Sequence, residues 1–255
     1  MNVIACYKIV PDEQDIVVNG DKTLSLDKAA LKVGQYDLNA VEAGAQLAEA
    51  SGGKLMVLTA GGEEAENSKM KKSILSRGPQ ENYVYSSPDM AGADASMTAK
   101  VLCEAVKKIE GWDLVLCGEG SSDLYSQQVG IQLGERLGLP TLNGVSKITE
   151  AEGGKLIVER SLEDEVEIIE VSLPAVLSVT SDINVTRVPT MKEILAAGKK
   201  PTTVWKDGET AVPAPSMETL SILAPEETER RCVVVEGDDG DKIAQFCQLI
   251  KAELQ

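Results

Sequence analysis

Through residue 137 the chain alternates between two kinds of text, and that alternation limits what it can fold into. Asn2 to Val10, Lys54 to Ala60, Tyr83-Val84-Tyr85 and Asp113 to Cys117 are short apolar runs that read as buried strands. Stretches of helical spacing lie between and after them. Asp37 to Ala50 has apolar residues at 38, 41, 45 and 48 and closes on Ser51-Gly52-Gly53. Glu63 to about Ser76, Ala93 to Ile109 and Val129 to Leu137 follow. Ile16 to Leu26, with Asn19-Gly20-Asp21 inside it, reads as a hairpin excursion. Strand alternating with helix predicts an α/β fold with a doubly wound, mostly parallel sheet of the Rossmann-like, adenine-nucleotide-binding type. Ligands of such sheets lie at the carboxyl ends of the strands. Three loops meet that condition: the one after Val10, Thr59-Ala60-Gly61, and Gly118 to Gln128.

The rhythm changes after Pro140. Gly144 to Ile148, Leu156 to Ser161, Glu165 to Ser172 and Ala175 to Thr180 read as strands in antiparallel order. Their links are Glu152-Gly153-Gly154 and Glu163-Asp164-Glu165, and they extend the same domain. From Asp182 to about Arg231 the text is irregular and holds Pro189, Pro201, Pro213, Pro215 and Pro225. Its single helical piece is Met191 to Ala197. Order returns with a strand at Arg231 to Val235 and an amphipathic helix at Asp241 to Leu254. The expected division is a nucleotide-binding domain over 1–182 and an irregular C-terminal arm with its strand and helix over 183–255. A long segment without a core of its own usually serves a partner or a function.

Charge and composition narrow the function. A net charge of −16 disfavours nucleic acid and anionic membrane surfaces, both of which call for clustered Lys and Arg. The absence of histidine removes the commonest general base and metal ligand. The five cysteines form no C-x-x-C pair, so neither a disulfide framework nor a zinc site is expected. The N-terminus lacks a signal-peptide layout, and no run approaches the ~18 apolar residues of a membrane span. The chain reads as soluble and cytoplasmic, without membrane insertion.

The segment Gly118 to Gly130, GEGSSDLYSQQVG, is the polar turn between the fourth strand and the next helix. Such a turn offers backbone N–H groups and a helix dipole to a phosphate. Gly118 and Gly120 permit close backbone approach, and Ser121, Ser122, Asp123, Ser126, Gln127 and Gln128 add hydrogen-bonding groups. It fits neither G-x-G-x-x-G nor the G-K-[ST] phosphate loop. The plainer reading is a strand–helix connection with Asp123 as N-cap.

Val158 to Ile169 (VERSLEDEVEII) followed by Leu173 to Ser178 (LPAVLS) resembles the signature of electron-transfer flavoprotein β-subunits. Cys6 to Asp12 (CYKIVPD) is similar to that family's first strand and turn, and Tyr36 to Ala40 (YDLNA) to the start of its first helix. Ser76-Arg77-Gly78-Pro79 is similar to the end of its second helix, and Gly118 to Gly130 to its nucleotide loop. The resemblance runs over essentially the whole chain and is nearest the Fix-type subgroup. Glu13 stands where some plain carriers have a second flavin-facing aromatic, which favours the Fix-type reading.

The resemblance implies the smaller half of a heterodimer. The α-subunit would hold FAD, and this chain would bind AMP or a second FAD of its own. The implied nucleotide site is Cys6; Gly34, Gln35, Tyr36 and Asp37; Ala60; and Gly118, Glu119, Gly120, Ser121, Ser122, Asp123, Tyr125, Ser126, Gln127, Gln128 and Val129. Tyr36 would approach the α-subunit's flavin. Arg187 to Leu195 resembles the loop that docks on an acyl-CoA dehydrogenase, with Met191 as the inserted side chain. The plainer readings are that Tyr36 and Met191 are core residues and Cys6 a buried hydrophobe. Fix-type relatives are associated with reducing pathways such as the reduction of carnitine derivatives. Electron bifurcation from NADH, and a stand-alone adenine-nucleotide sensor of the same fold, are the alternatives.

Overall fold

The computed structural model describes residues 1–151, 153–206, 217, 219–226 and 232–254. In chain order the first elements are β1 (Val3–Cys6), β2 (Ile9–Pro11), β3 (Val17–Val18), β4 (Leu24–Ser25), β5 (Leu31–Val33) and α1 (Gln35–Ser51). β6 (Leu55–Gly61), α2 (Ser68–Leu75), β7 (Glu81–Ser86), α3 (Ala95–Lys108), β8 (Leu114–Gly118) and α4 (Val129–Leu137) complete the alternating half. Then come β9 (Thr141–Ala151), β10 (Lys155–Ser161), β11 (Val166–Ser172), β12 (Ala175–Val179), α5 (Met191–Ala197), β13 (Thr202–Trp205) and α6 (Gly240–Glu253).

Nine strands form one sheet in the order β11-β10-β9-β12-β8-β1-β6-β7-β13. From β9 to β13 every neighbouring pair is parallel, while β10 pairs antiparallel with both β9 and β11. The chain runs outward from β1 through β6 to β7, then crosses back to lay β8 on the other side of β1. The reversal opens a crevice at the carboxyl ends of β1 and β8, where ligands of such sheets bind.

Alternation along the strands supplies both faces of the core. Val3, Ala5, Leu55, Val57, Leu114 and Leu116 face α1 and α2, and Ile4, Cys6, Met56, Leu58, Val115 and Cys117 face α3 and α4. Each aliphatic side chain so buried contributes roughly 1.5–3 kcal/mol. Small residues bring the helices close: a Cβ on Gly44 of α1 would lie 2.8 Å from Leu55 Cδ1. This close helix–sheet packing lets a chain with 3% aromatics fill its interior.

Several elements differ from the sequence expectations. The first apolar run is two strands, because Tyr7 and Lys8 turn the chain so that β2 pairs with β5 in a separate ribbon. The second helical stretch divides at Asn67, whose side chain caps α2 by accepting the Lys69 and Met70 amides. β12 does not follow β11 in antiparallel order. It inserts parallel between β8 and β9, because its residues 175–179 are buried and need cover on both sides. β13, expected as irregular text, is a parallel edge strand on β7, and Trp205 stacks on Tyr83 at 5.5 Å. The strand expected at Arg231 to Val235 does not form over 232–235, and Arg231 lies outside the described residues. The hairpin β3–β4 forms as expected, and the arm returns to it: Thr23 bridges Leu223, and the Ala224 amide donates to Lys22 O at 2.9 Å. Among the described residues no helix is long and apolar enough to cross a membrane.

Candidate functional site

The crevice is assembled from the turn after β1, the first turn of α1 and the loop after β8. Asp37, in the first turn of α1, joins them. Its Oδ2 accepts the Lys8 amide at 2.7 Å, and the Gly118 amide also donates to this carboxyl. Burial is the dominant influence on Asp37 and pushes it up to about 7, against the two amides and the Lys8 charge. A Cβ on Gly118 would stand 2.7 Å from both Tyr36 Cβ and Asp37 Oδ1, so only glycine fits where β8 passes α1.

Lys8 leaves the same turn in the other direction and pairs its ammonium with Asp123. Burial raises Asp123, but the bonds from Lys8 and Ser121 outweigh it and hold the carboxyl below its ordinary range. The Leu124 amide donates to the same carboxylate at 2.9 Å. Asp123 is therefore an anchor of the loop and not the N-cap of α4. That position belongs to Gln128, and no side chain caps it. The first amides of α4 thus present an uncapped helix start beside the crevice, suited to an anion.

The loop between these points is held in an unusual shape. Tyr125 and Gln127 have φ of 46° and 55°, which costs about 1 kcal/mol or more at each non-glycine residue. Tyr125 lies over Gly120, where a Cβ would come within 2.3 Å of its ring. Its ring meets Tyr36 at 5.5 Å with a 49° tilt, and its hydroxyl donates to Glu119 Oε1 at 3.0 Å. That bond is the main reason its hydroxyl is pushed up to about 12. The two tyrosines form one aromatic ledge across the crevice mouth, with Tyr36 half-buried and Tyr125 exposed. Ser122, Ser126, Gln127 and Gln128 are exposed, while Ser121 and Val129 are half-buried.

The other residues singled out from sequence sit around this centre. Cys6 ends β1 in full burial beside Cys117, and this neighbour, then burial, raises its thiol well above its ordinary value. Ala60 is half-buried near the end of β6, Gly34 caps α1 without side-chain help, and Gln35 is exposed. Glu13 is committed to an ion pair with Lys32. Met191 opens α5 and is 72% exposed, so it is not a core residue. Leu195 and Val188 are exposed on the same stretch. Thr190 and Glu193 form a capping box that fixes the start of α5.

Sequence reasoning missed the clasp between α1 and the segment leading to α5. Buried Asn39 donates to Ser181 O at 3.1 Å and Asn184 O at 2.9 Å, and Asn184 donates back to Asn39 O at 3.0 Å. Arg187 Nε donates to Glu42 Oε2 at 2.7 Å and Nη1 to Glu49 Oε1 at 2.7 Å. Glu42 is raised by burial, yet the Arg187 bonds hold it below its ordinary range. Helix α1 thus carries Tyr36 at one end and anchors the segment 181–187 along its length.

Residues 23–210 match the family model described as the electron transfer flavoprotein domain. The match spans α1, the loop after β8, the antiparallel extension and α5. The chain belongs to the electron transfer flavoprotein domain family.

Proposed function

We propose that the chain is the β-subunit of an electron-transfer flavoprotein of the Fix type. It would pass electrons between a donor and an acyl-CoA dehydrogenase-type partner, through flavin held in an α/β heterodimer in the cytoplasm. The observation that carries this reading is the uncapped start of α4 at the sheet's switch point, directly after the loop whose Tyr125 ring meets Tyr36. An adenine nucleotide, AMP or FAD, fits that arrangement: its phosphate would meet the amides near Ser122 to Val129, and Cys6 and Ala60 would line the adenosine.

Flavin supplies the electron chemistry when bound. This chain's part is placement. Tyr36 and Tyr125 offer aromatic faces that exclude water. Asp37 and Asp123 fix the loop that carries the phosphate contacts. Arg187, anchored on Glu42 and Glu49, sets the base of α5, from which Met191 and Leu195 project as flexible apolar contacts for a dehydrogenase. Helix α6 has no buried residue and exposes Ile243, Phe246 and Ile250 along one stripe. Such a stripe favours a partner subunit over a stand-alone nucleotide sensor.

Co-expression with the α-subunit tests the proposal. The expected result is a stable heterodimer with a flavin absorption spectrum. Purification of this chain alone, colourless and with no affinity for the other subunit, contradicts it.

A further inference from the structure

Asp37 lies where three elements meet. It is 8% exposed, accepts the amides of Lys8 and Gly118, and is flanked by two glycines sized to it. A Cβ on Gly34 or Gly118 would stand 2.8 or 2.7 Å from a carboxyl oxygen. The ends of β1 and β8 and the start of α1 are therefore spaced by one acidic side chain.

We propose that Asp37 is a positioning residue for the nucleotide's phosphate and takes up a proton from solvent as that phosphate enters the crevice. The inference rests on the nucleotide reading above. The groups facing Asp37 are the Cys6 thiol from β1, Lys8 from the turn after it, and Asp123 from the loop after β8. Lys8, the cation among them, is already paired with Asp123. The negative charge of Asp37 is answered mainly by two backbone dipoles. Burial has already brought this carboxyl to about 7, so little further influence is needed to protonate it at neutral pH. An incoming phosphate is a like charge and pushes this buried carboxyl the same way that Asp123 already does. Protonation removes the opposing charge and weakens the amide bond to the new hydroxyl oxygen, while the bond to the carbonyl oxygen remains.

Calorimetry on the heterodimer, stripped of adenine nucleotide, tests this with AMP at pH 7.5 in buffers of different ionisation heat. The expected result is net uptake of about half a proton per AMP, with none for adenosine, which lacks the phosphate. In Asp37→Asn the uptake with AMP disappears. The phosphate of AMP, bound as a dianion, releases protons and so gives the opposite sign. Net release, no exchange, or equal uptake with adenosine overturns the proposal, as does unchanged uptake in the variant. If the variant does not fold, the AMP–adenosine comparison in the unaltered protein decides. Failure of both AMP and FAD to bind removes the nucleotide reading and the inference together; where FAD alone binds, the same uptake is expected with FAD, and its absence overturns the inference. Binding without proton uptake removes the inference alone.

Discussion

At Gly118 the backbone of β8 passes α1 with no room for a methyl group, since the nearest neighbours include the Tyr36 backbone at 2.8 Å. Backbone cannot yield as a side-chain tip can. Gly118→Ala is therefore expected to cost about 1–3 kcal/mol and to displace the Asp37 junction, read as a lower urea midpoint and weaker nucleotide retention. Asp37 makes a second prediction. Its folded value of about 7 lies above the ordinary 3.8, so its contribution to stability is present below about pH 4 and lost as pH rises through 7. Of roughly 4 kcal/mol in all, about 2 kcal/mol would be lost between pH 5.5 and 8.5. Urea unfolding at the two pH values should show that loss in the unaltered chain, relative to Asp37→Asn. The position of Asp37 at the start of α1 was legible in the sequence. Its bonds to Lys8 and Gly118 were not, because they join residues separated by 29 and 81 positions through backbone amides that carry no sequence signal.

Among the elements, α1 links two regions that the sequence presents as separate. Its first turn builds the crevice, and Asn39, Glu42 and Glu49 hold the segment 181–187. Arg187→Ala would leave the buried Glu42 carboxylate without its cation, at a cost of about 2–3 kcal/mol, and raise hydrogen exchange across α5. Met191→Asp is predicted to slow electron transfer to the dehydrogenase partner severalfold while the flavin spectrum stays unchanged. Normal transfer would remove Met191 from the docking surface. Strong local patterns marked α1, α3 and α4 in the sequence: apolar residues at helical spacing, with Gly52 and Gly138 in left-handed caps closing α1 and α4. β13 was hidden because Thr202–Trp205 is only four residues long and follows a proline. The direction of β12 was hidden because a buried run reads the same in parallel and antiparallel pairing.

For the whole molecule, the strand–helix rhythm was enough to anticipate a mostly parallel sheet and its crevice, since each buried strand needs a covering helix on both faces. What an apolar stripe meets was less legible, because it looks alike whether it packs on its own core or on a partner. α6 shows this: its periodic pattern was plain, but no residue of it is buried by this chain. Phe246→Asp is predicted to leave the fold intact and to weaken association with the α-subunit at least tenfold, measured by co-purification and sedimentation. In the proposed heterodimer this chain carries its own adenine nucleotide beside the flavin of the α-subunit. Acid release and mass spectrometry of the purified heterodimer test it most directly. The expected release is an adenine nucleotide beyond the α-subunit's FAD: one AMP for a plain carrier, or a second FAD for a bifurcating one. A heterodimer that releases neither AMP nor a second FAD contradicts it.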